Sequence, residues 1–581
     1  MIVSSRAETT TARVAALRAL MAEAGLDAVL VRSADRYLNE YVPPAESTRI
    51  WVTGFTGSMG DALVARDRAW VVVDGRYHLQ ADDETAGTPF EVEKVQHGAG
   101  LRKALWEVAR RAVDGGARRL GYEPDRFVPK ELEELRKALE GTGAELVPTL
   151  PSLVERARGA VDEPVRPVRA LPEAAFGATV ADKVARLRPA LEKAGVTRFV
   201  CIKLDELAWL ANLRGDDFPY QATFRATGLL GLDRVVLAAD RARVPAHALA
   251  ERGAALEVVA RDAWTAALAP GERVGYDPDG TTAAVVDALR AAGCEPVAMA
   301  SPIEPARATK NEAELAAMRR AFAKADAVVE AAQAFVHDRL ARGERVTEAD
   351  LADEVERLFL AAGATGLSFK VIAAAGENGA FIHYGPPSAE RAIRAGELVL
   401  LDTGGYWPEG YATDLTRTFL AGAQAEPSPA QQRMFTLVLK AAIAGMSARL
   451  PEGARGDQLD ALCRAPLWAH GLDFAHGTGH GVGVNVHEFP PRVSPQANVK
   501  LEVGHVFSIE PGLYVAGTGG VRIENLVTVV PAPGHPGFLD IEPLTTSALD
   551  ERLFDHELLT DAERAWLARY EGLRAARLAG A

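Results

Sequence analysis

Cysteine is scarce: Cys201, Cys294 and Cys463 are the only three in 581 residues, and they lie far apart. Thiolate metal modules and small disulfide scaffolds both need clustered cysteines. Both are excluded, and the three read as small buried hydrophobes in a protein of the reducing cytoplasm. Surplus positive charge is also missing. The formal net charge is −14, whereas nucleic acid and anionic membranes reward Lys and Arg, so neither is an expected partner. No apolar run reaches the roughly 18 residues of a membrane helix. The opening Met1-Ile2-Val3-Ser4-Ser5-Arg6 lacks the apolar core of a signal peptide. What remains is a globular composition, 48% apolar and 25% charged, on a chain too long for one core.

The first half carries a weak repeat. Val14-Ala-Ala-Leu17-Arg18 followed by Ala24-Gly25 recurs as Val184-Ala-Arg-Leu187-Arg188 followed by Ala194-Gly195. Each copy predicts a helix stopped by glycine, then a short apolar strand, Ala28–Val31 and Phe199–Ile202. Trp51 to Gly57 matches Trp209 to Gly215 in spacing, and Ala69–Asp74 answers Val235–Asp240. Three matches in one order predict two similar α/β domains. The Pro- and Arg-rich span Asp162–Pro172 reads as their linker, and Ser301–Pro305 as a second break. The expected domains are 1–161, 162–304 and 305–581. In the third, Thr309-Lys-Asn-Glu312 has the form of a capping box, opening a helix with Leu315, Met318, Phe322 and Val329 on one face. A second helix is expected from Thr347 to about Ala362, with Leu351, Val355, Leu358 and Phe359 on its apolar face. Short strands and Gly-rich turns follow. Nine of the twelve histidines lie beyond residue 330, which places the chemistry there.

Four carboxylates stand in apolar or glycine-rich settings between residues 402 and 524. Asp402 ends Leu398-Val-Leu-Leu401, and Asp414 opens Leu415-Thr-Arg-Thr-Phe419. Glu510 ends Val506-Phe-Ser-Ile509, and Glu524 lies in Val521-Arg-Ile-Glu-Asn525. His480 lies in His476-Gly-Thr-Gly-His-Gly-Val-Gly483. Each piece alone has a plain reading: a turn aspartate, a loop histidine, a surface Arg522–Glu524 pair of little worth. Together they differ, because a buried carboxylate is costly unless paired or bound to a cation. Two hairpins, one joining Asp402 to Asp414 and one joining Glu510 to Glu524, would bring the carboxylates together. This hard, oxygen-rich set favours a pair of ions such as Mn²⁺.

These segments resemble the metallopeptidases of the pita-bread fold, and within them the Xaa-Pro aminopeptidases in their long three-domain form. Arg32–Tyr41, Asp74-Gly-Arg-Tyr77, Leu204–Trp209, Asn212–Gly215 and the tail from Glu542 extend the resemblance over nearly the whole chain. It implies two creatinase/prolidase-type α/β domains before a pita-bread catalytic domain of mixed α+β structure. It also implies two divalent metals per subunit. Asp402 would hold one, Asp414 and Glu524 would bridge both, and His480 and Glu510 would complete the other. Glu510 would also act as general base toward the attacking water. His383 and His487 would contact substrate, one near the P1′ proline and one at the oxyanion. His476 and Arg522 would support them. A homodimer is implied.

The expected activity is removal of the residue before a penultimate proline. Xaa-Pro dipeptidase is the nearest alternative, and a binding module of the same fold a more distant one. Twelve positions separate Asp402 from Asp414, one more than the family's spacing. The seven from His480 to His487 are fewer than in the long form, and Phe489 stands where that form has glycine.

Overall fold

The computed structural model describes residues 2–96, 100–161 and 166–580. Two six-stranded sheets occupy the first half. One comprises β1 (Ala28–Val31), β2 (Asp61–Ala65), β3 (Ala69–Val73), β4 (Phe90–Lys94), β5 (Arg119–Tyr122) and β6 (Glu145–Pro148), ordered β4-β3-β2-β1-β5-β6. The other comprises β7 (Arg198–Cys201), β8 (Thr227–Gly231), β9 (Val235–Ala238), β10 (Leu256–Val259), β11 (Arg273–Tyr276) and β12 (Glu295–Ala298), ordered β10-β9-β8-β7-β11-β12. The topologies are the same. In each the first three strands run antiparallel, and the remaining three join in parallel.

The repeat read from the sequence maps onto this duplication. Helices Ile2–Glu23 and Val180–Ala194 precede β1 and β7 and give way to Gly25 and Gly195, with φ of 65° and 64°. Trp51 and Trp209 sit on the short helices Thr48–Thr53 and Leu204–Leu210, and each is followed three residues later by a left-handed residue, Gly54 or Asn212. Of the expected linker Asp162–Pro172, residues 162–165 lie outside the described residues. Its later part is not plain linker, because Arg169–Ala170 pairs as a short strand with Leu213–Arg214.

In the last part of the chain two helix pairs alternate with strands. Helices Glu312–Ala341 and Glu348–Ala361 precede β13 (Ile372–Ala375), β14 (Leu398–Thr403) and β15 (Leu415–Leu420), an antiparallel sheet in that order. Leu315, Met318, Phe322 and Val329 are buried as their spacing predicts. The cap, however, lies two residues beyond Thr309. Asn311 and Glu314 form the reciprocal box, while the Thr309 hydroxyl donates to the Pro305 carbonyl and the Lys310 amide donates to that of Gly504. The break at Ser301–Pro305 is correspondingly short, since Ile303–Ala308 is helical. Thr347 caps the second helix with Asp350, and Leu351, Val355 and Phe359 are buried there.

Helices Pro429–Met446 and Gly456–Trp468 back the larger sheet. Its strands are β16 (Arg449–Pro451), β17 (Gly479–Gly481), β18 (Glu488–Val493), β19 (Val506–Ile509), β22 (Asn525–Pro531) and β23 (Phe538–Pro543), ordered β16-β23-β22-β19-β17-β18. Between β19 and β22 the hairpin β20 (Gly512–Val515) and β21 (Gly519–Arg522) stands out. No described helix is long and apolar enough to cross a membrane. All three cysteines are buried and free.

Candidate metal centre

Strand alternation sets the site. Val399 and Leu401 on β14, with Leu415 and Phe419 on β15, pack against the first helix pair. Phe507, Ile509, Val521, Ile523 and Val527 pack against the second. Successive side chains on a strand point to opposite faces. The residues between these, Asp402, Thr416, Thr418, Ser508, Glu510, Arg522 and Glu524, therefore turn away from both helix layers and meet one another. Register brings the glutamates face to face: Ile509 pairs with Asn525 and Gly512 with Arg522, so Glu510 lies across from Glu524. Asp402 pairs with Thr416, and Asp414 sits just before that strand.

Asp414, His480 and Glu524 each place a donor atom within 4.8 Å of the others. His480 Nδ1 is 3.2 Å from the Gly481 carbonyl, which can only accept, so that nitrogen carries the proton. The Nε2 lone pair then faces Asp414 Oδ2 at 3.4 Å and Glu510 Oε1 at 3.5 Å. This arrangement repels unless a proton or a cation stands between the groups. Burial opposes charging the imidazole, yet the bond to Asp414 and the charge of Glu510 outweigh it and lift the ring to about 9. Close approach fixes the geometry. A Cβ on Gly479 would lie 1.8 Å from the Ser508 carbonyl oxygen. Ser508 Oγ accepts from the His480 amide and donates to Glu510.

Arg522 is the hub of the other side. Its guanidinium donates to Asp402 Oδ2 at 2.5 Å, Tyr514 Oη at 2.9 Å, Thr416 Oγ1 at 3.1 Å and the Ile382 carbonyl at 3.3 Å. It turns to Asp402 and not to Glu524, so the surface pair that strand alternation allowed is absent. His476 completes the chain. Its Nδ1 donates to the Gly477 carbonyl at 2.8 Å, leaving Nε2 to accept from Tyr514 at 2.9 Å. Burial and then the Arg522 cation push this ring down to about 3, so it stays neutral.

The two remaining histidines stand at the edge. His487 packs its ring 4.3 Å from that of His480, and its Nδ1 meets Glu40 Oε2 at 2.7 Å. Glu40 comes from the first α/β sheet's side of the chain and lies in Arg32–Tyr41, yet no local pattern marks it as a site residue. His383 is exposed at the mouth, beside Ile382. Partial desolvation by the cleft walls, then Arg522, push it down to about 4. The loop joining Asp402 to Asp414 folds around a fully buried Trp407, whose indole donates to Thr413. From the second sheet's side, Arg214 donates to the Gly410 carbonyl at 2.6 Å.

These residues fit divalent cations. Burial drives Asp402 up to about 6, Arg522 relieves it only partly, and Asp414 and Glu510 raise it further. Burial also raises Glu510 and Glu524. Asp402 Oδ1 and Glu524 Oε1 are buried without a hydrogen-bond partner, an expensive condition that a cation removes. Four carboxylates and an imidazole whose proton a cation can replace, against one guanidinium, form the oxygen-rich set that hard divalent ions take.

Comparison with known proteins agrees with this chemistry. Residues 13–159 and 161–314 each match the creatinase/prolidase N-terminal domain, and residues 316–531 match metallopeptidase family M24. The probable Xaa-Pro aminopeptidase P of Neosartorya fischeri is 34% identical over 587 residues, spanning 97% of this chain and 88% of that one. The X-prolyl aminopeptidase of Caenorhabditis elegans, described as a cytosolic enzyme with a di-nuclear active site, superposes with a TM-score of 0.86 at 27% identity, over 98% of this chain and 96% of its own. The prolidase of Pyrococcus furiosus superposes with a TM-score of 0.51 at 25% identity, over 62% of this chain and 98% of its own.

Proposed function

Because this chain belongs to metallopeptidase family M24, among the relatives of Xaa-Pro aminopeptidase P, we propose that it is a dinuclear metal-dependent aminopeptidase that releases the N-terminal residue from peptides with proline second. The observation that carries this reading is the meeting of Asp414, His480 and Glu524 within 4.8 Å of one another, with Glu510 3.5 Å from His480 and buried oxygens of Asp402 and Glu524 left without a hydrogen-bond partner. The supporting comparison is nearly full-length, and the prolidase match spans a smaller share of the chain.

Asp402 would hold one metal, Asp414 and Glu524 would be shared, and His480 with Glu510 would complete the second. Bound there, two divalent cations, Mn²⁺ by the hardness of the donors, supply Lewis acidity toward the scissile carbonyl and lower the pKa of water. Glu510, held by the Ser508 hydroxyl at 3.1 Å, takes the proton of the attacking water. His383 and His487 between them hold the substrate near its P1′ proline and stabilise the oxyanion. Burial and then the Arg522 cation keep His476 neutral, and Arg522 donates directly to Asp402 and keeps it aimed. Proline offers no N–H and a fixed φ, so a site that works through the carbonyl and ring suits it. The same reading divides the chain at 1–161, 162–304 and 305–581 and takes the protein as a cytoplasmic homodimer.

Metal-stripped protein reloaded with Mn²⁺ and given an Xaa-Pro dipeptide, an Xaa-Pro-Yaa tripeptide and an Xaa-Ala-Yaa control provides the test. Metal-dependent cleavage of the proline tripeptide with the alanine control intact is the expected result. Cleavage of the dipeptide alone would move the assignment to a prolidase.

Glu40 offers a graded check. Its side chain is about half exposed, and exposed ion pairs contribute about 0.2–1 kcal/mol. Glu40→Gln should therefore lower kcat/KM by less than about fivefold. A loss of a hundredfold in steady-state assays would show that the pair does more than steady an exposed ring.

A further inference from the structure

We propose that Glu488 is a positioning residue for His487, and that Arg307 and Lys310 tie it to the second α/β sheet. The inference rests on the catalytic reading of His487 above. Glu488 follows that histidine and is only 1% exposed. Its Oε1 accepts from the amides of Val484 at 2.6 Å and Asn485 at 3.2 Å, closing the short loop that carries His487. Its Oε2 lies 3.3 Å from Lys310 Nζ and 3.6 Å from Arg307 Nε. A Cβ on Gly483 would come within 2.4 Å of that oxygen, so the loop is folded tightly over the carboxylate.

The cations lead outward. Arg307 also pairs with Asp205, on the helix that follows β7, and donates to the Phe489 carbonyl at 3.4 Å. Val484 packs in the same apolar cluster as Leu204, Leu207 and Phe199. The loop is thus held by charge and by apolar contact to the second sheet's side of the molecule. Two acids and two cations balance there, and removing one leaves a buried charge uncompensated. His487 itself has Glu40, on an exposed side, as its hydrogen-bond partner. Burial works against the Glu488 carboxylate, but Arg307 and Lys310 hold it below its ordinary range. The anchor is therefore ionised across the working pH. This assigns the second sheet a role in aiming an active-site loop as well as in packing.

Glu488→Gln keeps an acceptor for the two amides but loses the charge. In metal-loaded full-length protein it should lower kcat on the Xaa-Pro-Yaa tripeptide about thirtyfold or more, with KM within about threefold and metal content unchanged. In a His487→Ala background the same change should cost less than about twofold, because the residue acts through that ring. Amide exchange of peptides covering residues 482–489 should accelerate while the rest of the catalytic region keeps its protection. If E488Q folds poorly, K310M/E488Q removes one charge of each sign and should show the same kcat loss. A kcat within threefold of the parent, or losses that multiply in the double variant, would overturn the proposal. The exchange arm needs no substrate. If the parent cleaves no Xaa-Pro peptide, the substrate reading falls, and unchanged exchange at 482–489 would still separately refute the anchor.

Discussion

Asp414→Asn should leave a folded protein that hydrolyses Xaa-Pro peptides at least about a thousandfold more slowly and holds less metal per chain. Asparagine keeps the shape but removes the charge that faces His480 Nε2 at 3.4 Å and lies within donor range of Glu524. Changes to groups that merely orient metal ligands cost about 10- to 100-fold, so a shared ligand should cost more. Metal analysis after exhaustive dialysis, beside steady-state rates, reads both effects. Full metal occupancy with near-parental turnover would remove Asp414 from the centre.

Stripping the metal should lower the melting temperature, and the loss should grow with pH. In the metal-free protein Asp402 is raised from its ordinary 3.8 to about 6, and Glu510 and Glu524 are raised as well. The folded state then binds more protons than the unfolded one, so stability falls as pH rises from about 4 to about 6 through Asp402. His480 acts in the same direction. Raised to about 9, it contributes stability that is fully present below its unfolded value of about 6.5 and is lost as pH rises through its folded one. Metal takes the place of those protons and binds better once they leave. The gap between loaded and stripped protein should therefore be small at pH 5 and reach about 5–10 °C at pH 8 with metal well above its dissociation constant. Thermal scans at the two pH values decide it. A gap that is equal at both, or larger at pH 5, would contradict the proton accounting at these four residues.

What could be read in advance follows from range. The five residues proposed as donors each sit in a short segment whose chemistry is local, so spacing and context singled them out, and Asp414, His480 and Glu524 lie within 4.8 Å of one another in the fold. The duplicated α/β sheets were legible because helix stops and strand runs recur in order, and the shared topology bears out that reading. The cap of the long helix was misplaced by two residues because Thr309 and Asn311 are both good caps. The choice was made by Pro305 and Gly504, which engage Thr309 and Lys310 from outside the helix. Arg307, Lys310 and Glu40 gave no local signal at all. Their partners lie about 180 and 447 positions away in sequence, and nothing in the periodicity of a surface-looking charge announces such a contact. Arg522 was legible as a supporting group, but its partner was not, since only the assembled sheets set Asp402 beside it.

The alternation that sends Asp402, Glu510, Arg522 and Glu524 away from the helices has a consequence for how the chain can change length. A single residue inserted or deleted within β14, β19 or β21 would reverse every side chain beyond it. Carboxylates would be driven into the apolar layers and isoleucines into the metal site. Such a change is not a graded loss that neighbouring substitutions could repair. Length variation is therefore confined to the connections. In this chain Asp402 and Asp414 are joined through residues 404–414, and His480 and His487 through residues 482–487, outside β14, β15, β17 and β18. Those connections can change in length, while the strands that carry the proposed donors keep a fixed count.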